Sequence, residues 1–323
     1  MSKEMLFRTQ VKMESVGGRF RLSDRFVFLG SCFSEHIGTR FAQYGLPVLS
    51  NPMGVLYNPK SISTVVAHAL QPDAAVLPFF EHSGKWACWW TDTHFSAPLK
   101  EACEAQVQSA FDSLRNALLT STCLFVTLGT PVVYQLRDNG VTVANCHKVP
   151  SNLFMERRMD VSDCVLAMEQ MLATLWAANP GIRVVFTVSP YRYAKYGFHG
   201  NQLAKATLLL AVDELCRKHD ACSYLPVYEI FMDELRDYRF YASDMLHPGE
   251  VAVDYIWHRL KTECMDEGLQ QYLTVMEPIC RTLLHRPTDS LSPKHQALLE
   301  KTGMQINQLR EKYGLPVEDF FQT

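Results

Sequence analysis

The stretch FVFLGSCFSEHIGTRFAQYG, residues 26–45, constrains the fold of this chain more than any other. Phe26, Val27, Phe28 and Leu29 form an unbroken apolar run, the pattern of a strand covered on both faces, and the run stops at Gly30. Beyond Ser31 and Cys32, the positions Phe33, Ile37 and Phe41 recur at helical spacing, and Gly45 is a natural residue to end the helix. The chain therefore reads strand, glycine turn, helix. That order sets Ser31 or Cys32 at the carboxyl end of a strand and at a helix N-terminus, where unpaired main-chain N–H groups and the helix dipole favour negative charge. A nucleophile is well placed there, although small residues at such corners are common in any α/β protein.

Further along, LPVLSNPMGVLYNP (46–59) has the composition of a structured loop, and 61–70 reads as a short helix. Residues 72–98 lose regular periodicity and are rich in aromatics, with His82 and His94 among them. Such a segment is an insertion that walls a pocket or a lid packed on the core. Helical spacing returns at 100–119, and 124–128 is a second buried strand ending at Gly129-Thr130. Two alternating runs around Asp138-Asn139-Gly140 predict a hairpin over 131–145, followed by Cys146-His147. Then come a helix at 162–178, a third buried strand at 183–188, a helix at 202–218, a short strand at 223–227 and a helix over 228–238. Residues 1–25 read as a leading segment with a Gly17-Gly18 turn and an edge strand. Strands alternating with helices imply a mostly parallel sheet covered on both sides, with its crevice beyond the carboxyl ends of the strands.

A net charge of -3 without a Lys/Arg block gives no reason to expect nucleic acid or an anionic membrane as partner. Lys3, Glu4, Arg8 and Lys12 interrupt the N-terminal apolar residues, so neither a signal-peptide core nor a spanning helix is expected and the protein should stay in the cytoplasm. The ten cysteines are scattered and include no C-x-x-C, which favours reduced, mostly buried thiols.

The second chemical element is YASDMLHP, 241–248, ahead of a helix whose Ala252, Ile256 and Leu260 share a face. Pro248 suits a first helical turn, which places His247 on the bend before it. Asp244, three residues earlier, can hold one ring nitrogen and leave the other free to take a proton, or it can simply start a turn while His247 caps the helix. Together with a nucleophile at the glycine corner, the pair has the logic of a triad.

The corner and the D-x-x-H resemble the SGNH/GDSL hydrolase superfamily. More closely, GSCFS (30–34), NPMGVLYNP (51–59), TLGT (127–130), NCHK (145–148), VSPYR (188–192) and YASDMLHP resemble the GSCFA-domain family, over about Phe26 to Leu260. The resemblance implies a three-layer α/β/α, SGNH-like (flavodoxin-like) fold and acyl or ester chemistry without a cofactor. It leaves hydrolase, acyltransferase and degenerate binding module as alternatives. We expect a small-molecule or glycan-type acyl substrate.

The superfamily nucleophile corresponds to Cys32, with Ser31 standing where its acid would be, so either residue can be the nucleophile and Cys32 is favoured. Gly54 corresponds to the second-block oxyanion donor. The third-block Asn is absent, since Pro131 follows Gly129-Thr130, and Thr130 or Asn145 is its replacement. His94 and His147 either touch the pocket or are structural, and Arg192 and Lys205 either receive an anionic group or make surface pairs. Cys32, Cys146, His147 and His247 match no zinc spacing, so no metal is expected.

Residues 1–268 are taken as the catalytic-type domain and 269–323 as a C-terminal helical extension. PTDSLSP (287–293) reads as a linker, and the amphipathic stretch after it either packs back on the domain or makes a homodimer contact.

Overall fold

Strand β1 (Phe26–Gly30) lies inside a five-stranded parallel sheet with β2 (Val48–Ser50), β5 (Cys123–Leu128), β9 (Arg183–Val188) and β10 (Cys222–Tyr224), in the order β10-β9-β5-β1-β2. The computed structural model describes residues 8–13, 17–284 and 293–314. Counted along the chain, the five parallel strands stand in the order 2-1-3-4-5, the flavodoxin-like winding, whose switch point falls between β1 and β5.

Because side chains alternate across a strand, each sheet face builds its own core. Val27, Leu29, Leu124, Val126, Val184 and Phe186 face helices α2 (Pro59–Leu70), α3 (Lys100–Thr120), α4 (Val161–Ala178) and α5 (Gly197–Lys218). Phe26, Phe28, Cys123, Phe125 and Val185 face α1 (Cys32–Gln43), α7 (Glu250–Cys264) and α8 (Glu267–Leu284). The result is a three-layer α/β/α fold. On the second face Phe28 and Phe125 stack with ring centroids 4.4 Å apart, and Phe41 closes edge-on over both. Helix α8 buries six side chains there, and Tyr272 donates its hydroxyl to Tyr44 O at 2.7 Å. Helix α9 (Pro293–Tyr313) lies against α8 and buries Ile306.

The aromatic segment is more regular than its sequence reads. Strands β3 (Phe79–His82) and β4 (Lys85–Cys88) form a hairpin turned by Ser83-Gly84, both at positive φ. The expected second hairpin is present as β6 (Val132–Leu136) with β7 (Thr142–Val143), and β8 (Phe154–Arg158) adds on the other side of β6, a pairing the sequence did not signal. Trp89, Leu136, Val143 and Phe154 make a small core between these pieces.

Several expected boundaries move. Helix α2 starts at Pro59 because the Asn58 side chain accepts from Ser61 N, and α5 starts at Gly197 rather than 202. Strand β10 ends at Tyr224, so Val227 belongs instead to α6 (Val227–Glu229), which continues as a π-helical turn over Ile230–Glu234 before the chain loosens. In the leading segment the described residues form an isolated bridge, Phe20 to Met265, rather than an edge strand. The proposed linker, apart from Pro293, lies outside the described residues. Among the described residues no helix is long and apolar enough to cross a membrane.

Candidate functional site

The carboxyl ends of β1, β5 and β9 converge, as a parallel sheet demands, and the tightest point is Gly30. Its φ is +135°, and a Cβ there would lie 2.2 Å from Thr127 O, so no side chain fits. Gly30 N–H donates to the Asn51 side chain at 2.9 Å, and Ser31 N–H donates to Thr127 O at 3.1 Å. The corner is thus fixed from both neighbouring strands.

This bend separates the two candidate nucleophiles. Ser31 is 1% exposed, and its buried hydroxyl has no hydrogen-bond partner among the described residues. Cys32, the first residue of α1, stays partly exposed. Burial and then Glu35 push its thiol up. The main-chain N–H groups of Cys32 and Phe33 and the ammonium of Lys205 pull the other way without cancelling that rise. The resting group is therefore a thiol, which needs a base to become a nucleophile.

That base stands on the loop before α7. Asp244 Oδ2 holds His247 Nδ1 at 2.5 Å, while Asp244 Oδ1 accepts from the main-chain N–H groups of Leu246 and His247 at 2.9 and 3.0 Å. These bonds bring the Asp244 carboxyl down to about 2, led by the main-chain and side-chain donors of His247. Met245 takes φ +59°, and Ala242 N–H donates to His247 O at 2.8 Å, which closes the bend. Helix α7 starts at Glu250 with Gly249 as its cap, so Pro248 precedes the helix instead of opening it. Among the described residues His247 Nε2 has no hydrogen-bond partner, and no hydrogen bond joins the imidazole to Cys32 in this resting geometry. The Tyr191 ring centroid is 4.3 Å from that of His247, and burial and then the charges of Asp244 and Cys32 push the Tyr191 phenol up. His36, on α1, feels His247 in turn.

Lys205, whose charge acts on the Cys32 thiol, is 1% exposed. Its Nζ donates to Gly129 O at 2.7 Å and Ser189 O at 2.6 Å, tying the ends of β5 and β9 together, and it lies 5.2 Å from the centre of the Tyr193 ring. Burial pulls its ammonium down to about 7. Tyr193 directs a buried hydroxyl, without a hydrogen-bond partner among the described residues, at Gly129, where a Cβ would come within 2.5 Å of it.

The GSCFA family model matches residues 25–260. This chain belongs to the GSCFA family. No curated protein matches it. Among solved structures it is similar to a carbohydrate esterase family 3 protein from Talaromyces cellulolyticus, at 7% sequence identity and a TM-score of 0.37, covering 79% of this chain and 99% of that one. That likeness is too weak to bear on chemistry.

Within the GSCFA chain, Cys32 follows the end of β1, and Arg192, beyond the end of β9, is bonded to the loop that carries Asp244 and His247; the residues expected to hold an oxyanion make local bonds of their own. Gly54 N–H donates to Asn51 O at 2.8 Å, and its Cα packs on Asp92, where a Cβ would lie 2.2 Å from the carboxylate. Thr130 gives its N–H to Tyr57 O at 2.9 Å and accepts from Val132 N–H at 3.2 Å on its hydroxyl. Asn145 Oδ1 accepts from His147 N–H at 2.7 Å. His147 is buried against Phe80 and Trp89, donates Nε2–H to Cys88 O at 3.0 Å and is pushed down by burial. His94 is exposed, its ring nitrogen held by Asp92 at 3.0 Å, and that bond raises it.

Sequence reasoning passed over Asn51, Tyr191 and Tyr193 and left Lys205 undecided. For Lys205 a signal existed: with Asn201, Ala204, Leu208, Ala211, Val212 and Leu215 it falls on the buried stripe of α5, an unusual place for an amine. Among the described residues no cluster of three or more His, Cys, Asp or Glu side chains is gathered to hold a metal ion.

Proposed function

We propose that this GSCFA protein is an SGNH-type hydrolase that cleaves an acyl ester through Cys32. The observation that carries the reading is the Asp244–His247 pair, bonded at 2.5 Å, with no hydrogen-bond partner for the second imidazole nitrogen among the described residues, alongside a partly exposed thiol at the glycine corner. His247 Nε2 takes the thiol proton as Sγ adds to the acyl carbonyl, and Asp244 holds the imidazolium that results. The main-chain N–H groups of Cys32 and Phe33 at the start of α1, which act on the thiol at rest, are the donors this reading gives to the charge that develops. Collapse of the adduct expels the alcohol, which leaves with the proton from His247. Water, deprotonated by the same imidazole, then cleaves the thioester and restores the thiol. An alcohol or amine in place of that water makes the same residues an acyltransferase.

A second reading has its own support. The Gly54 N–H is spent on Asn51 O and Pro131 stands after Gly129-Thr130 where the third-block Asn is expected, and each missing oxyanion donor costs about 10²–10³ in rate. That depletion suits a binding module that has lost turnover.

An electrophilic acyl probe separates the two. The hydrolase reading expects labelling of Cys32, located by peptide mass spectrometry, that slows about 10²–10⁴-fold in His247→Ala, the usual worth of a positioned base. Equal labelling in wild type and His247→Ala, or labelling at neither Cys32 nor Ser31, leaves only the binding module.

A further inference from the structure

Immediately beside the Asp244–His247 loop lies a cleft of about 220 Å³ that the chemistry above does not use. Arg192 forms one side of it, with Phe198, Tyr228, Phe231, Tyr238 and Tyr241 around. The guanidinium sits 4.2 Å from the Phe198 ring centre, 5.3 Å from that of Tyr241 and 5.9 Å from that of Tyr238. It is held in place by one donor, Nη1 to Met245 O at 3.1 Å, while the Arg192 main-chain N–H donates to Leu246 O at 3.1 Å. Its remaining donors have no partner, and no carboxylate pairs with it among the described residues. Arg236 also lines the cleft but is paired with Asp233 at 3.9 Å. Asp237, the acidic member, spends one oxygen capping its own turn on Arg239 N–H at 3.0 Å. At the rim Phe198 is 57% and Tyr238 65% exposed, an apolar surface that hydration alone does not favour.

We infer that this cleft is a binding subsite for a single-ring group bearing a carboxylate. A fixed guanidinium with unused donors recognises a planar anion in bidentate fashion, and the flanking rings cover the apolar body behind it. The volume is below the roughly 300–1,000 Å³ of a drug-sized site, so one ring with its substituent is what it admits. Arg192 is bonded to Met245 and Leu246, the two residues between Asp244 and His247, so a ligand on the guanidinium bears directly on the loop that aims the imidazole. As to substrate, and resting here on the hydrolase reading, the esters taken are those whose acyl or alcohol part is a ring carboxylate.

The test measures binding apart from turnover, using the full chain with Cys32→Ala and ligand-observed NMR titration of benzoate against its neutral isostere benzamide. Benzoate should bind at least about tenfold more tightly than benzamide, and Arg192→Met should remove about that factor, the usual worth of a charge-assisted hydrogen bond. Phe198→Ala, which leaves the loop bonds intact, should weaken both ligands and decides the matter if Arg192→Met does not fold. Equal affinity for benzoate and benzamide, or benzoate binding unchanged in both variants, overturns the subsite. With Cys32 in place, Arg192→Met should raise KM for a carboxylated aryl ester at least about tenfold more than it raises KM for the uncharged ester. If no ester is turned over while benzoate still binds through Arg192, the hydrolase reading fails and the subsite stands.

Discussion

Lys205 is the residue whose placement has the clearest solution consequence. In the unfolded chain its ammonium titrates near the ordinary lysine value of about 10.4, whereas burial brings it down to about 7 in the native state. Between those limits the unfolded state holds a proton that the native state lacks, so Lys205 makes stability rise with pH, and its full penalty applies below the lower value. In Lys205→Met that contribution is absent. Urea midpoints of wild type minus those of Lys205→Met should therefore climb from about pH 7 to about pH 9.5, and a flat difference contradicts the burial argument. Removing the ammonium also takes away one of the influences that hold the Cys32 thiol down, so alkylation of Cys32 near neutral pH should slow in the same variant. At this scale the sequence was legible only in part. It narrowed the nucleophile to Ser31 or Cys32, but the choice rests on which side chain a glycine corner turns inward, and composition does not carry that information.

The β1–α1 corner was legible in full because two rigid rules meet there: an apolar run buried on both faces, and a stop at a residue without a side chain. Its strictness is testable. Gly30→Ala forces a methyl group to within 2.2 Å of Thr127 O at φ +135°, and the variant should lose about 3 kcal/mol or more in urea unfolding. A loss within the roughly 0.5 kcal/mol of ordinary surface changes would mean that the strand ends are looser than described. The Asp244–His247 bond was also readable, since three residues of separation across a bend bring the two side chains together. The β3–β4 hairpin was hidden because its aromatic residues stand on both faces, which erases the alternation a strand usually shows. The pairing of β8 with β6 was hidden for a different reason. Four of the five residues of β8 are exposed, so it has no apolar face to announce it. The oxyanion expectations at Gly54, Thr130 and Asn145 followed motif position; a local turn takes up the Gly54 N–H, whereas the bonds at the Thr130 hydroxyl and at Asn145 are accepted on oxygen and leave the side-chain donors unused among the described residues.

For the whole molecule, the family match stops at residue 260 while the second core continues into α8. Leu269, Tyr272, Leu273, Met276, Ile279 and Cys280 are all buried against the α1 and α7 side. At roughly 1.5–3 kcal/mol for each large apolar group, their loss is comparable to the roughly 5–15 kcal/mol that holds a domain folded. A chain ended at Met265 should therefore lose its cooperative urea transition and expose apolar surface to a hydrophobic dye. An unchanged urea midpoint would show that α8 is dispensable. A homodimer through α9 remains a proposal, and sedimentation velocity distinguishes it from a monomer.

The winding of the sheet also has a consequence for how the protein is made. Strand β1 is synthesised early yet sits in the interior of the sheet, with β2 on one side and the much later β5 on the other, and β9 and β10 beyond. A ribosome-bound chain must carry the FVFL segment with one edge unpaired through the translation of α2, both hairpin strands of the aromatic segment and α3. Such late closure makes folding slow and leaves a sticky strand open to other nascent chains. Growth conditions that slow elongation should favour aggregation of this protein over its folding, unless a chaperone shelters that edge.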